Sequence, residues 1–227
     1  MEAKIVEQTI NNGLHTSDWV MIGTALFLGA CALFVPLFVE LIRRRAFRPN
    51  LKIDFFEGYP YCHLTTYQDG SLVYYFRFQV LNDGKSLAKS CEVVLDELWI
   101  SDSSGNFVQD KNFSSMNLNW AGQQYTSINP GRKGLYVAIG HISHPNTQKT
   151  REKSQYYLYK DNEDLKFFFD HPVRFFSQRD CILPGRAKLK FVIYSENAPK
   201  CERYFEISWS GKWREREQDM WNELVIK

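Results

Sequence analysis

Five histidines and five cysteines are the residues of this chain best suited to chemistry, and their spacing decides which chemistry they could perform. His141 and His144 stand three apart in "HISHP". A zinc-type site needs three or four converging donors, and no carboxylate or thiolate stands beside this pair. On a strand, an offset of three sends the two rings to opposite faces. His15, His63 and His171 are scattered, and Cys62-His63 lacks the second half of a C-x-x-C pair. A cysteine nucleophile such as Cys62, with His144 as base, would need a matched geometry and an activated thiol. Phosphate loops, nucleophile elbows and H-E-x-x-H helices are missing from the sequence. Asp161, Glu163 and Asp164 in "KDNEDLK" read as a solvated turn. The expectation is a non-enzymatic protein with no metal and no cofactor.

An internal echo offers different chemistry. "INPGRKGLYVAI" (128–139) and "ILPGRAKLKFVI" (182–193) align without gaps at an offset of 54 residues. Pro-Gly suits the central positions of a type II turn, and each copy precedes an alternating strand. Arg132, Lys133, Arg186 and Lys188 follow the two turns. If both turns lie at one end of a sandwich, these cations form an anion-binding patch for phosphate, lipid head groups or an acidic partner.

Those residues need a scaffold, and the scaffold begins with an anchor. From Trp19 to Val39 the sequence "WVMIGTALFLGACALFVPLFV" carries no charge. As a helix it spans roughly 30 Å, the thickness of a bilayer's hydrocarbon core. A cleavable signal peptide wants a basic leader and a shorter apolar core, whereas here the leader is slightly acidic. Leu28-Gly29-Ala30-Cys31 resembles a lipobox, but the apolar run continues for eight residues beyond Cys31. Residues 19–42 are therefore expected to form a transmembrane helix, after a short tail over 1–18. Arg43, Arg44, Arg45 and Arg48 follow the span, and only Lys4 precedes it. By the positive-inside rule these arginines stay cytoplasmic, with the N-terminus outside and the remainder of the chain inside the inner membrane. Ala25, Gly29 and Ala32 mark a small-residue face suited to helix packing, and with it to homo-oligomerisation.

The net charge is +2, and residues beyond 42 hold 27 basic and 22 acidic side chains. That mild, unclustered bias does not predict a nucleic-acid partner. After the basic linker 43–50 the pattern alternates with period two. Leu72, Tyr74, Phe76, Phe78 and Val80 share a face, as do Ala187, Leu189, Phe191 and Ile193, and likewise Cys201, Phe205, Ile207 and Trp209. Further strands are expected over 51–57, 61–67, 91–101, 134–142, 155–160 and 165–170. Seven to nine short strands without a helical period predict an immunoglobulin-like antiparallel β-sandwich over 51–212. A C-terminal amphipathic segment (213–227) carries Trp213, Met220, Trp221 and Leu224, placed to cap the sandwich or to meet a partner. In "LKFFFDHPVRFF" (165–176) the consecutive phenylalanines cannot all face one side of a strand.

"VLNDGKSLAKSCEVVL", with Val80, Asn82, Gly84, Ala88, Val93 and Leu95, resembles the second-to-third strand passage of CARDB-type immunoglobulin-like domains. The resemblance covers some sixteen residues and implies a binding or scaffold fold. The whole layout also resembles bacterial single-pass membrane proteins. Together these readings predict a membrane-tethered binding or scaffold module that recognises a protein or an anionic ligand from the cytosolic side. The alternative is a ligand-gated membrane effector whose anchors oligomerise, for example in bacterial defence.

Overall fold

The computed structural model describes residues 16–66, 70–120, 126–131, 134–147, 165–170 and 180–227. The expected strand over 155–160 falls outside them, as do His15 and His171. Two compact units divide the chain, residues 1–47 and 48–227.

Helix α1 (Thr16–Ala46) contains the span Trp19–Ile42, long and apolar enough to cross a membrane, and none of that span is buried against the protein. Pro36 lies inside the helix, and Thr24 Oγ1 donates to the Val20 carbonyl at 2.7 Å, so its hydroxyl is satisfied within the helix. The helix runs on through the first part of the expected linker 43–50. The end of that linker joins the second unit, where the Arg48 carbonyl accepts the Lys85 N–H and the Asn50 carbonyl accepts that of Asp83.

The second unit is a mainly β, two-sheet antiparallel sandwich. One sheet holds six described strands: β1 (Leu51–Asp54), β2 (Cys62–Thr66), β3 (Leu72–Asn82), β8 (Leu135–Ser143), β9 (Phe167–Phe169) and β10 (Cys181–Ile182). Its order is β1-β3-β8-β9-β10, and β2 also pairs with β3. The second sheet has seven described strands. Its path is β13 (Leu224–Ile226), β12 (Cys201–Trp209), β11 (Gly185–Tyr194), β4 (Ala88–Ser101) and β5 (Phe107–Gln109). Short β6 (Met116–Asn117) and β7 (Thr126–Ile128) also pair with β4.

The alternation read from the sequence becomes burial. Ala187, Leu189, Phe191 and Ile193 are buried, while Lys188 and Lys190 between them are not. Phe76, Phe78, Phe191 and Phe205 form the aromatic centre. The Phe78 and Phe191 ring centroids are 5.1 Å apart at 70°, an edge-to-face contact that favours the ring quadrupoles. Phe167, Phe168 and Phe169 are all buried. Phe167 and Phe169 join the core, and Phe168 stacks on His141 on the opposite face. β9 is therefore covered on both sides, which is why its sequence is continuously apolar. At Gly140, directly across from Phe169, a Cβ would stand 2.2 Å from the Phe168 carbonyl oxygen and 2.7 Å from the Phe167 ring. Only glycine fits that approach.

Asn82 ties the ends of several strands together. Its Nδ2 donates to the carbonyls of Ser86 and Ile128, both at 2.8 Å, and its Oδ1 accepts the N–H groups of Asn50 and Gly84. Gly84 is required beside it, since a Cβ there would lie 2.4 Å from the Asn50 nitrogen.

The C-terminal segment 213–227 is part of the sandwich. Helix α2 (Glu217–Glu223) buries Met220, and Trp221 packs against Phe55 and Phe76. Leu224–Ile226 then pairs with Ile207–Trp209 as an edge strand that the helical spacing had not suggested.

Candidate recognition face

The two sheets differ on their outer sides. On the six-stranded sheet, His141, Ser143 and Phe168 are buried although they lie outside the core cluster, so that face is covered there. Among the described residues the outer side of the seven-stranded sheet is half-buried at its centre and exposed along β12. Its central strand β11 presents Arg186, Lys188 and Lys190 in succession, because alternate residues of a strand share a face. β4 contributes Trp99, Glu97 and Asp96, and β12 contributes Glu206, Tyr204 and Glu202.

Cations and rings interleave on this face. Lys188 Nζ sits 4.9 Å from the Tyr204 ring centroid and 6.0 Å from that of Trp99. The two rings are 5.8 Å apart, and Tyr204 is 46% exposed. The Arg186 guanidinium lies 5.2 Å from the Phe107 centroid and 3.5 Å from the Glu206 carboxylate. Lys190 is held by Glu97 at 2.8 Å and Asp96 at 3.0 Å. Hydrogen bonds that the ammonium donates to these two carboxylates, Glu97 first, push the Lys190 pKa up, so it stays charged. Lys188 differs from its neighbours: among the described residues it meets rings and no carboxylate.

Of the cations in the PGR echo, Arg186 and Lys188 lie on β11. Arg132 and Lys133 lie outside the described residues. The residues flanking them fix the end of the sandwich: the Gly131 N–H donates to the Asn82 carbonyl, and Ile128 pairs with Ala88 at the start of β4. Ala187 pairs with Ile100 near the other end of β4. Twelve residues of strand separate the two places, roughly 35–40 Å at 3.3 Å per residue. The turns differ as well. Gly131 has φ +64°, on the side a type II turn requires, whereas Gly185 has φ +140° and opens β11 directly.

No known protein family matches the chain, and no curated protein matches it either.

The other candidates resolve as follows. Cys62 is fully buried, and burial pushes its thiol pKa up, so the nucleophilic thiolate is disfavoured. His63 Nδ1 is 3.6 Å from Glu217, whose carboxylate also accepts the Leu64 N–H at 2.9 Å. His141 is buried in β8, and His144 lies just past that strand's end with its ring 5.2 Å from Trp213. No group of three or more His, Cys, Asp or Glu side chains converges among the described residues. Ala25, Gly29 and Ala32 are exposed along α1, and nothing lies within 4 Å of a Cβ built at Gly29. Of the described arginines after the span, Arg45 and Arg48 are exposed.

Trp99, Tyr204 and Phe107 were missed by motif reading. Their signal was nonetheless present: Trp99 and Tyr204 occupy the polar phase of alternating strands, where a solvated side chain is the norm.

Proposed function

We propose that this chain is a membrane-tethered, non-enzymatic recognition module, an immunoglobulin-like sandwich held at the cytosolic side of a bacterial inner membrane. The outer face of its seven-stranded sheet is the working surface. One observation carries the reading: an apolar helix with no buried side of its own is joined to a domain that closes its own core. A helix of that kind has no stable place in water, and lipid is the solvent that suits it. A tether raises the effective concentration of the domain against anything else at the membrane, an advantage that needs no catalysis.

The face favours protein recognition over a polyanion. Among the described residues its cations Arg186, Lys188, Lys190 and Lys200 are matched by four carboxylates, Asp96, Glu97, Glu202 and Glu206. A polyanion site needs uncompensated positive charge, whereas tyrosine and tryptophan among mixed charges are typical of protein interfaces. The sidedness rests on the arginine cluster following the span. It is tested with a reporter enzyme, active only outside the cytosol, fused after Lys227. The expected result is a silent reporter on a protein that is present in full-length form. An active reporter would place the sandwich on the outer side.

A further inference from the structure

Lys188 is the one cation of the β11 row without a carboxylate among the described residues, and Glu206 stands beside it on β12 at the same level of the ladder. The Glu206 side chain is 48% exposed, and its contact with Arg186, at 3.5 Å, is long. A carboxylate can accept several hydrogen bonds, so Glu206 keeps capacity for a second cation. Lys188 stands level with Glu206, while Arg186 and Lys190 stand level with Ser208 and Tyr204, so laying the β11 column on the β12 column brings an unpaired cation against a carboxylate and opposes no like charges.

We propose that this face is a self-association surface, in which two copies in one membrane pack their seven-stranded sheets together about a twofold axis parallel to the strands. The symmetry fixes the pairing. An axis running between β11 and β12 turns one sheet over and lays β11 of each copy across β12 of the other. Heights along the strands are preserved, so Lys188 of each copy meets Glu206 of the other, and Lys190 meets Tyr204. The contact is isologous and closes as a dimer. Strand direction is also preserved. The chain enters each sandwich at the Asn82 end, where Arg48 meets Lys85, so both copies present that end to the same side and both anchors can enter one bilayer.

Size explains why the tether matters. Three strands by about six residues cover roughly 300–400 Å² per copy, well below the ~800 Å² of a standard stable interface. Confinement to one membrane supplies the missing association by effective concentration. This inference rests on the tethered reading, and sedimentation of each variant with the vesicles checks that reading separately.

The test uses the full-length chain carrying Ser208→Cys, with the two half-buried cysteines replaced (Cys31→Ser, Cys201→Ser), reconstituted in lipid vesicles and treated with a short bismaleimide. Ser208 lies on β12 one outward position from Glu206 and is exposed. The reference protein is expected to give a cross-linked dimer. Lys188→Glu alone and Glu206→Lys alone each oppose like charges across the axis, and each is expected to lower the dimer yield about tenfold. Mixing the two variants restores opposite charges at both contacts, so cross-linking recovers in the mixture. A purely internal role for either residue cannot produce recovery on mixing. A monomeric reference protein, a yield unchanged by Lys188→Glu (the result if the anchors drive association), or no recovery in the mixture would each overturn the proposal.

Discussion

Removal of residues 1–47 is expected to move the protein from the membrane fraction to the soluble fraction while leaving its melting transition in place. The two halves of this expectation have separate physical origins. Along Trp19–Ile42 the apolar side chains stand in the open, with Leu26, Phe27, Leu33 and Phe34 all between 67% and 70% exposed. Each such side chain gains roughly 1.5–3 kcal/mol on leaving water. Summed over the span, that dwarfs the free energy of any reversible surface contact. The sandwich, in contrast, draws nothing from this helix for its core. Every residue of the core cluster lies at Leu51 or beyond. Sedimentation after alkaline wash, followed by thermal melting of residues 48–227, checks both halves. A shortened protein that still sedimented with lipid would show that the sandwich binds the membrane by itself.

Asn82→Ala should lower the stability of the sandwich by about 3–4 kcal/mol. Asn82 is 2% exposed and makes four hydrogen bonds, each to a backbone group. A single net hydrogen bond contributes about 1 kcal/mol, and a buried group left without a partner costs more. The Ile128 carbonyl is such a group, because its bond to Asn82 is itself buried. Asn82→Asp is a sharper control. It keeps an acceptor for the Asn50 and Gly84 N–H groups but loses both donations from Nδ2, and it is expected to recover less than half of the loss. Chemical denaturation of residues 48–227 reads both values. A change below 1 kcal/mol for Asn82→Ala would mean that water replaces these contacts.

The same asparagine shows how far the sequence could be read. "NDG" between two alternating runs announces a turn, and the structure places Asn82 and Gly84 there. Its reach to the Ile128 carbonyl, 46 residues away, depends on long-range pairing that no local pattern encodes. Strand phase was legible for the same local reason: apolar residues at every second position of 187–193 can be buried only together. Strand β13 was not legible, since three residues show no period and Leu224–Ile226 becomes a strand only because β12 offers it an edge. The flanks of the PGR echo carry a related lesson. Two segments that share Pro-Gly-Arg and six of twelve residues stand in different ladders, one beside Asn82 and the other opposite Trp209, so likeness of sequence did not make them neighbours. The outer face of the seven-stranded sheet combined both cases. Arg186 and Lys188 could be singled out from the sequence, but the rings beside Lys188 come from strands about 90 residues earlier and 16 later.

Which side of the bilayer holds this sandwich follows most directly from protease treatment of inside-out membrane vesicles carrying the unmodified chain. Internal lysines and arginines offer cleavage sites throughout residues 48–227. If the arginine collar keeps the domain in the cytosol, the domain is lost in inside-out vesicles and protected in right-side-out ones. Protection in the inside-out vesicles, with digestion in the opposite set, would contradict it.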